Sequence, residues 1–172
     1  MFIGSKFGGN LRACAAAFML IAVSAVPAEA VTWRNYHNTR FGVTGDVPAS
    51  WKMQPAPMNN DGRAFVSPDG KASLTLSGIF STSPHEEEIA DRLKPDDGET
   101  ITKSSSDATH VRVEGTNGPN GFVRASILSC SGKIWNDLVL TYPSKDAASY
   151  QAIIDRAVTS FHSGRGYDMS CG

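Results

Sequence analysis

Two runs toward the C-terminal end, Phe122 to Cys130 and Lys133 to Tyr142, constrain the fold more than any other feature of the chain. Both are long, rich in β-branched and aromatic residues, and bounded by turn-forming residues, the pattern of adjacent strands. In the second run Ile134, Leu138, Leu140 and Tyr142 mark mainly one face, while Trp135 and Val139 fall on the other. A strand that is apolar on both faces needs cover on both. These two strands are therefore predicted to lie at the centre of a sheet, joined by Ser131-Gly132 as a two-residue hairpin turn that matches strand twist.

The rest of the chain also reads mostly as strands. Phe41 to Val47 alternates, stops at Pro48 and resumes through Trp51 and Met53. Arg63 to Ser67 and Ala72 to Gly78 flank Pro68-Asp69-Gly70, where proline presets the first corner and glycine accepts the positive φ that follows. Thr100 to Ser104 and His110 to Glu114 form a hairpin around Ser105-Ser106-Asp107, and Thr116 to Gly121 forms a second loop. Two helices are expected. Ser83, Pro84 and Glu86 to Glu88 supply a capping serine, a first-turn proline and acids at the positive dipole end of a surface helix running to about Leu93. Ser144 is placed to cap the last helix, where Ala147, Tyr150, Ile154, Ala157 or Val158, and Phe161 recur at helical spacing, with Gly164 suited to stopping it.

The N-terminal end has a different composition. Lys6 and Arg12 precede an apolar run from Ala13 through Val26, followed by Pro27-Ala28-Glu29-Ala30 with small residues where a signal peptidase reads. Residues 1–30 are thus expected to be a cleavable secretory signal, and 31–172 a single globular domain, a length that suits one core. The apolar run is too short to span a bilayer as a helix, so no transmembrane anchor is expected after cleavage. Cys14 precedes the run, whereas a lipid-anchor cysteine closes it.

Without the leader, 14 basic and 16 acidic residues remain of the 16 and 17 in the full sequence. Basic residues are scattered among acidic ones, a pattern that excludes nucleic-acid binding as the guiding class. Cys130 and Cys171 survive export into a compartment where thiols are oxidised in pairs, and no Cys-x-x-Cys spacing points to redox catalysis. A structural disulfide between them is the expectation. Closing a loop of about 40 residues, it stabilises by roughly 3 to 4 kcal/mol.

Candidate sites are sparse. Asn59, Asn60, Asp61 and Asp69 are oxygen donors of the kind calcium takes, although their spacing is not that of an EF-hand and the same residues serve any tight turn. The acidic run Glu86, Glu87, Glu88, Asp91, Asp96, Asp97 and Glu99 reads as a solvated helix face and its following loop. His37, His85, His110 and His162 show no metal-binding spacing, and Ser129-Cys130-Ser131 has no nucleophile-elbow glycines. No catalytic residue and no cofactor is expected. Trp33, Tyr36, Phe41 and Trp51 cluster at the start of the domain, either as core and sheet edge or as an aromatic docking patch.

The element order, together with Tyr36, Arg40-Phe41-Gly42-Val43, Val47-Pro48-Ala49-Ser50-Trp51-Lys52 and the stretch from Trp135 to Tyr142 leading to Ser160-Phe161, resembles the PsbP-like family, the extrinsic photosystem II subunit and its bacterial relatives. The middle, Asn59 to Gly70, is similar to small exported proteins of Gram-negative bacteria. The resemblance implies an α+β fold, an antiparallel sheet flanked by helices on both faces as an α/β/α sandwich, with no catalytic residues to carry over. It implies a docked accessory role as a class. The resulting expectation is an exported, non-catalytic accessory or binding protein of the periplasm or extracellular space, holding an unidentified protein or small ligand of the envelope. The alternative is a small periplasmic hydrolase with a dispersed site.

Overall fold

Alternating apolar residues build two antiparallel sheets, whose facing sides close over one main core. The computed structural model describes Met1, Gly4 and residues 31–168; the remainder of the expected leader, Cys14 and Cys171 lie outside the described residues. Contacts divide after Ala30 into two units, and the architecture belongs to the second, Val31–Gly172.

The strands are β1 (Trp33–His37), β2 (Val43–Pro48), β3 (Lys52–Met53), β4 (Gly62–Val66), β5 (Ser73–Phe80), β6 (Glu99–Ser106), β7 (His110–Asn117), β8 (Asn120–Ser129), β9 (Ile134–Pro143) and β10 (His162–Ser163). Two helices, α1 (His85–Arg92) and α2 (Ala147–Ser160), complete the fold, with one 3-10 turn at Ser144–Asp146. The large sheet runs β3-β4-β5-β9-β8-β7-β6, and a small one runs β1-β2-β10. As the sequence predicts, β9 is the middle strand of seven and β8 lies beside it.

Register sorts the side chains. Leu74 pairs with Leu140 and Leu76 with Leu138, and across β8 Val123 and Ala125 join the same rows. Val43 and Val47 from β2, together with Ile153, Ile154, Ala157 and Phe161 from the α2 region, pack on this face as one buried cluster. The opposite face carries Trp135, Leu128 and Val111, against which Ile89 and Leu93 from α1 are packed. No residue of α1 is buried. The architecture is therefore mostly antiparallel sheet with two helices. It differs from the expected sandwich because an eight-residue helix with a thin apolar stripe covers only part of the second face.

Several local readings change. Ser83 caps nothing: the N-cap of α1 is Pro84, without a side-chain cap, and the upstream amides are taken by Glu88 instead. Ser144 likewise does not cap α2. It opens the 3-10 turn, and its hydroxyl is buried without a hydrogen-bond partner. The β8-β9 connection is wider than a two-residue turn, because Cys130, Ser131 and Gly132 all take positive φ before Lys133 closes back on Ser129. Conversely, the loop expected over Thr116 to Gly121 shrinks to Gly118-Pro119 at the tip of β7 and β8. Gly164 does not stop α2 by turning left-handed, since Phe161 already leaves in extended conformation. Its backbone instead presses on Gly42, where φ is +73° and a Cβ would stand 2.3 Å from the Gly164 carbonyl oxygen. Only glycine fits position 42.

Candidate functional site

The second face of the large sheet contains a polar row where an apolar one is usual. Register places Ser77, Asp137, Ser126 and Val111 side by side across β5, β9, β8 and β7, and the adjoining row holds Thr75, Val139, Arg124 and Val113. Alternation forces both rows to the face that carries Trp135. Next to the part covered by α1, these rows apart from Thr75 form the floor of a hollow of about 410 Å3, with Asp91, Arg92 and Asp96 at its side.

Asp137 is the unusual member. It sits on the central strand, keeps about 24% of its side chain accessible through the hollow, and is otherwise surrounded by protein. That burial raises its pKa above the ordinary carboxylate value, against the lowering effects of Arg92 and of the Ser126 hydroxyl. Ser126 donates to Asp137 Oδ1 at 2.5 Å. Among the described residues, the guanidinium paired with Asp137 comes from α1: Arg92 Nη2 stands 3.6 Å from Oδ2, beyond hydrogen-bond length. Arg92 also lies over the Trp135 ring at 4.0 Å, a cation–π contact, and its Nε is buried without a partner. Arg124 is better satisfied. It pairs with Asp96, with Glu99 at 3.1 Å and with the Lys94 carbonyl at 2.9 Å.

Glu88 fixes the start of α1. Its carboxylate accepts from Ser81 Oγ at 2.6 Å, the Thr82 and Ser83 amides, and Trp135 Nε1 at 2.6 Å. Burial pushes its pKa up, but these four donors outweigh burial and hold it at about 2. A depressed pKa in the folded state means the stabilisation is full above the ordinary carboxylate value and is lost as pH falls toward 2. Protection of the α1 amides, taken relative to their intrinsic exchange rate at each pH, should fall over that window, well before that of α2. Glu88→Gln should remove the pH dependence and cost about 2 kcal/mol, as a buried indole donor loses a charged acceptor. Unchanged α1 protection down to pH near 2 would contradict this assignment.

The residues singled out by sequence fall elsewhere. Asn59, Asn60 and Asp61 precede β4 and Asp69 follows it, so the five-residue strand holds the fourth donor roughly 16 Å from the others. Asn59 donates to Asp61, the Asn60 carbonyl serves Asn38, and Asp69 serves Ser67 and the Lys71 amide. The four donors do not converge. Phe41 and Trp51 are core residues, while Trp33 and Tyr36 on β1 are half-buried against the same core, so the four present no aromatic patch. Of the acidic run, Glu88 and Glu99 are structural anchors, and Asp91 pairs with Lys94. His85 reaches the Gly132 carbonyl, His37 meets Thr44, and His110 meets Thr109 and Asp107. Sequence reasoning missed Arg92, Arg124, Ser126 and Asp137. One signal was available: Asp137 shares the parity of Trp135 and Val139, which puts a carboxylate inside a doubly covered strand.

No protein-family model matches the chain, and no curated protein matches it in sequence. Solved structures do. A cyanobacterial PsbP, CyanoP from Synechocystis sp. PCC 6803, matches with a TM-score of 0.57 at 12% identity, over 83% of this chain and 98% of that one. The Saccharomyces cerevisiae Ran-binding protein Mog1p matches at 0.54 and 10% identity, over 79% and 97%. LpqN of Mycobacterium tuberculosis, involved in cell envelope biogenesis, matches at 0.51 and 11% identity, over 79% and 92%. At these identities the likeness speaks for the fold alone. The sequence resemblance and the coordinates agree on it: the chain has the PsbP-like fold.

Proposed function

We propose that this chain is an exported, non-catalytic accessory or binding protein of the cell envelope, which holds a partner protein or small ligand in the hollow beside α1. The observation that carries the reading is the Arg92 and Asp137 ion pair in the hollow, two opposite charges mostly withdrawn from water and held at 3.6 Å, longer than a hydrogen bond. Such groups, converging on a concave surface, are what a binding site needs. Structural likeness to CyanoP and LpqN supports the accessory class, and the composition of residues 1–30 supports export. In the exported form residues 31–172 make up the domain, α1 serves as a partial second cover, and Cys130 pairs with Cys171. Asp168, three residues before Cys171, lines the same small hollow as Cys130, which supports that pairing.

The test is copurification from the exported fraction under mild conditions. Val139 lies on the floor and is half-buried, so Val139→Trp fills the hollow without changing charge. Wild-type protein should retain a partner or ligand that Val139→Trp loses. Equal recovery with both, or recovery of nothing, contradicts the assignment.

One observation favours the hydrolase reading: Ser126 already donates to a carboxylate with a raised pKa. A hydroxyl needs such a base to become a nucleophile. Esterase, peptidase and glycosidase activity that vanishes in Ser126→Ala would establish it, and a blank screen removes it.

A further inference from the structure

Within the hollow one pair of opposite charges is held together only loosely, which restricts what fits there. Around its rim the charges are already matched to one another: Asp91 to Lys94 at 2.6 Å, and Asp96 and Glu99 to Arg124. Arg92 and Asp137 are left as the loosely held pair. Their contact, Arg92 Nη2 to Asp137 Oδ2 at 3.6 Å, is an ion pair longer than a hydrogen bond, and the two side chains keep 22% and 24% of their surface accessible. A simple anion would gain Arg92 and meet Asp137. A simple cation would gain Asp137 and meet Arg92. A group with both signs satisfies the two at once and leaves the charge balance unchanged, whereas a neutral amide offers each of them only a dipole.

We propose that the hollow binds a small zwitterion of amino-acid size, its carboxylate on the Arg92 guanidinium and its ammonium on Asp137. The Trp135 ring lies 4.0 Å from the Arg92 guanidinium carbon and limits its movement, and a guanidinium takes a carboxylate best in its own plane. Ser126, bonded to Oδ1, orients the Asp137 carboxylate so that Oδ2 faces Arg92. The hollow's volume of about 410 Å3 is enough for a small molecule. This inference rests on the hollow being a binding site and names its ligand class.

Calorimetric titration of the exported protein with alanine, N-acetylalanine, alaninamide and dialanine tests it. N-acetylalanine keeps only the carboxylate and alaninamide only the ammonium, while dialanine keeps both charges at a wider separation. Alanine is expected to bind with a Kd of about 1 mM or tighter, and each singly charged analogue at least about tenfold more weakly. Dialanine binding better than alanine would assign the ligand to short peptides rather than free amino acids, within the same zwitterion class. Asp137→Asn should reverse the preference toward N-acetylalanine, and Arg92→Gln toward alaninamide. A merely structural role for the pair predicts no such exchange. Absence of saturable binding by both alanine and dialanine to the wild-type protein overturns the proposal, as does binding that is indifferent to the missing charge. If a partner protein is still retained by wild type and lost by Val139→Trp, the binding role of the hollow survives and only the zwitterion fails.

Discussion

Trp135→Ala is expected to lower the unfolding free energy by about 4 kcal/mol and the melting midpoint by roughly 10 °C. The ring has no exposed surface, and it packs with Val111 and Leu128 on the face away from α2. Removing it opens a cavity that a central strand cannot close by shifting, because β9 is held by β8 along its whole length and by β5 from Ile134 to Thr141. Two further losses add to the cavity: Glu88 loses the indole donor and Arg92 loses the ring beneath it. Damage should be one-sided. Amide exchange ought to rise in α1 while α2, anchored by Ile153, Ile154 and Ala157 on the other face, keeps its protection relative to global unfolding. A loss under about 1 kcal/mol would mean that the second face contributes little to the fold.

Replacing Cys130 and Cys171 together with serine is expected to cost roughly 3 to 4 kcal/mol. The benefit of the proposed bridge comes from restricting the unfolded chain, so folded-state contacts should survive the change. Those contacts already tie the tail down by other means: Arg40 pairs with Asp168 at 2.9 Å, and the amides of Tyr167 and Asp168 reach the carbonyls of Thr39 and Arg40. Unfolding with and without reductant should give the same difference as the double serine variant. Equal midpoints in oxidised and reduced exported protein would show that the tail is held by these contacts alone.

Local chemistry made much of the fold legible. The paired strands around β9 were readable because their alternation is long and doubly apolar, and Pro68-Asp69-Gly70 because Gly70 needs the positive φ it has. The surface position of α1 followed from its thin stripe. Non-local facts were not legible. The small sheet joins β2 to β10 across more than a hundred residues, and no residue type in His162-Ser163 announces that pairing. Ser83 and Ser144 are sound capping residues in isolation, yet a carboxylate from Glu88 and a 3-10 turn took their places. The four N-terminal aromatics read first as core and sheet edge and only second as a docking patch, and the fold buries Phe41 and Trp51 and half-buries Trp33 and Tyr36. The hollow was the least readable feature. Ser77, Ser126 and Asp137 become neighbours only through the register of three strands, and register is a property of the assembled sheet.

Where the physiological partner or ligand sits decides whether the hollow is the working surface. Photo-crosslinking residues placed at Asp91 and at Asp96, on the rim of the hollow, can be compared with one at the exposed Ser149 of α2, outside it. In the exported fraction, adducts are expected from both rim positions and not from Ser149. Adducts from Ser149 alone would move the functional surface to the other side of the molecule and contradict the assignment.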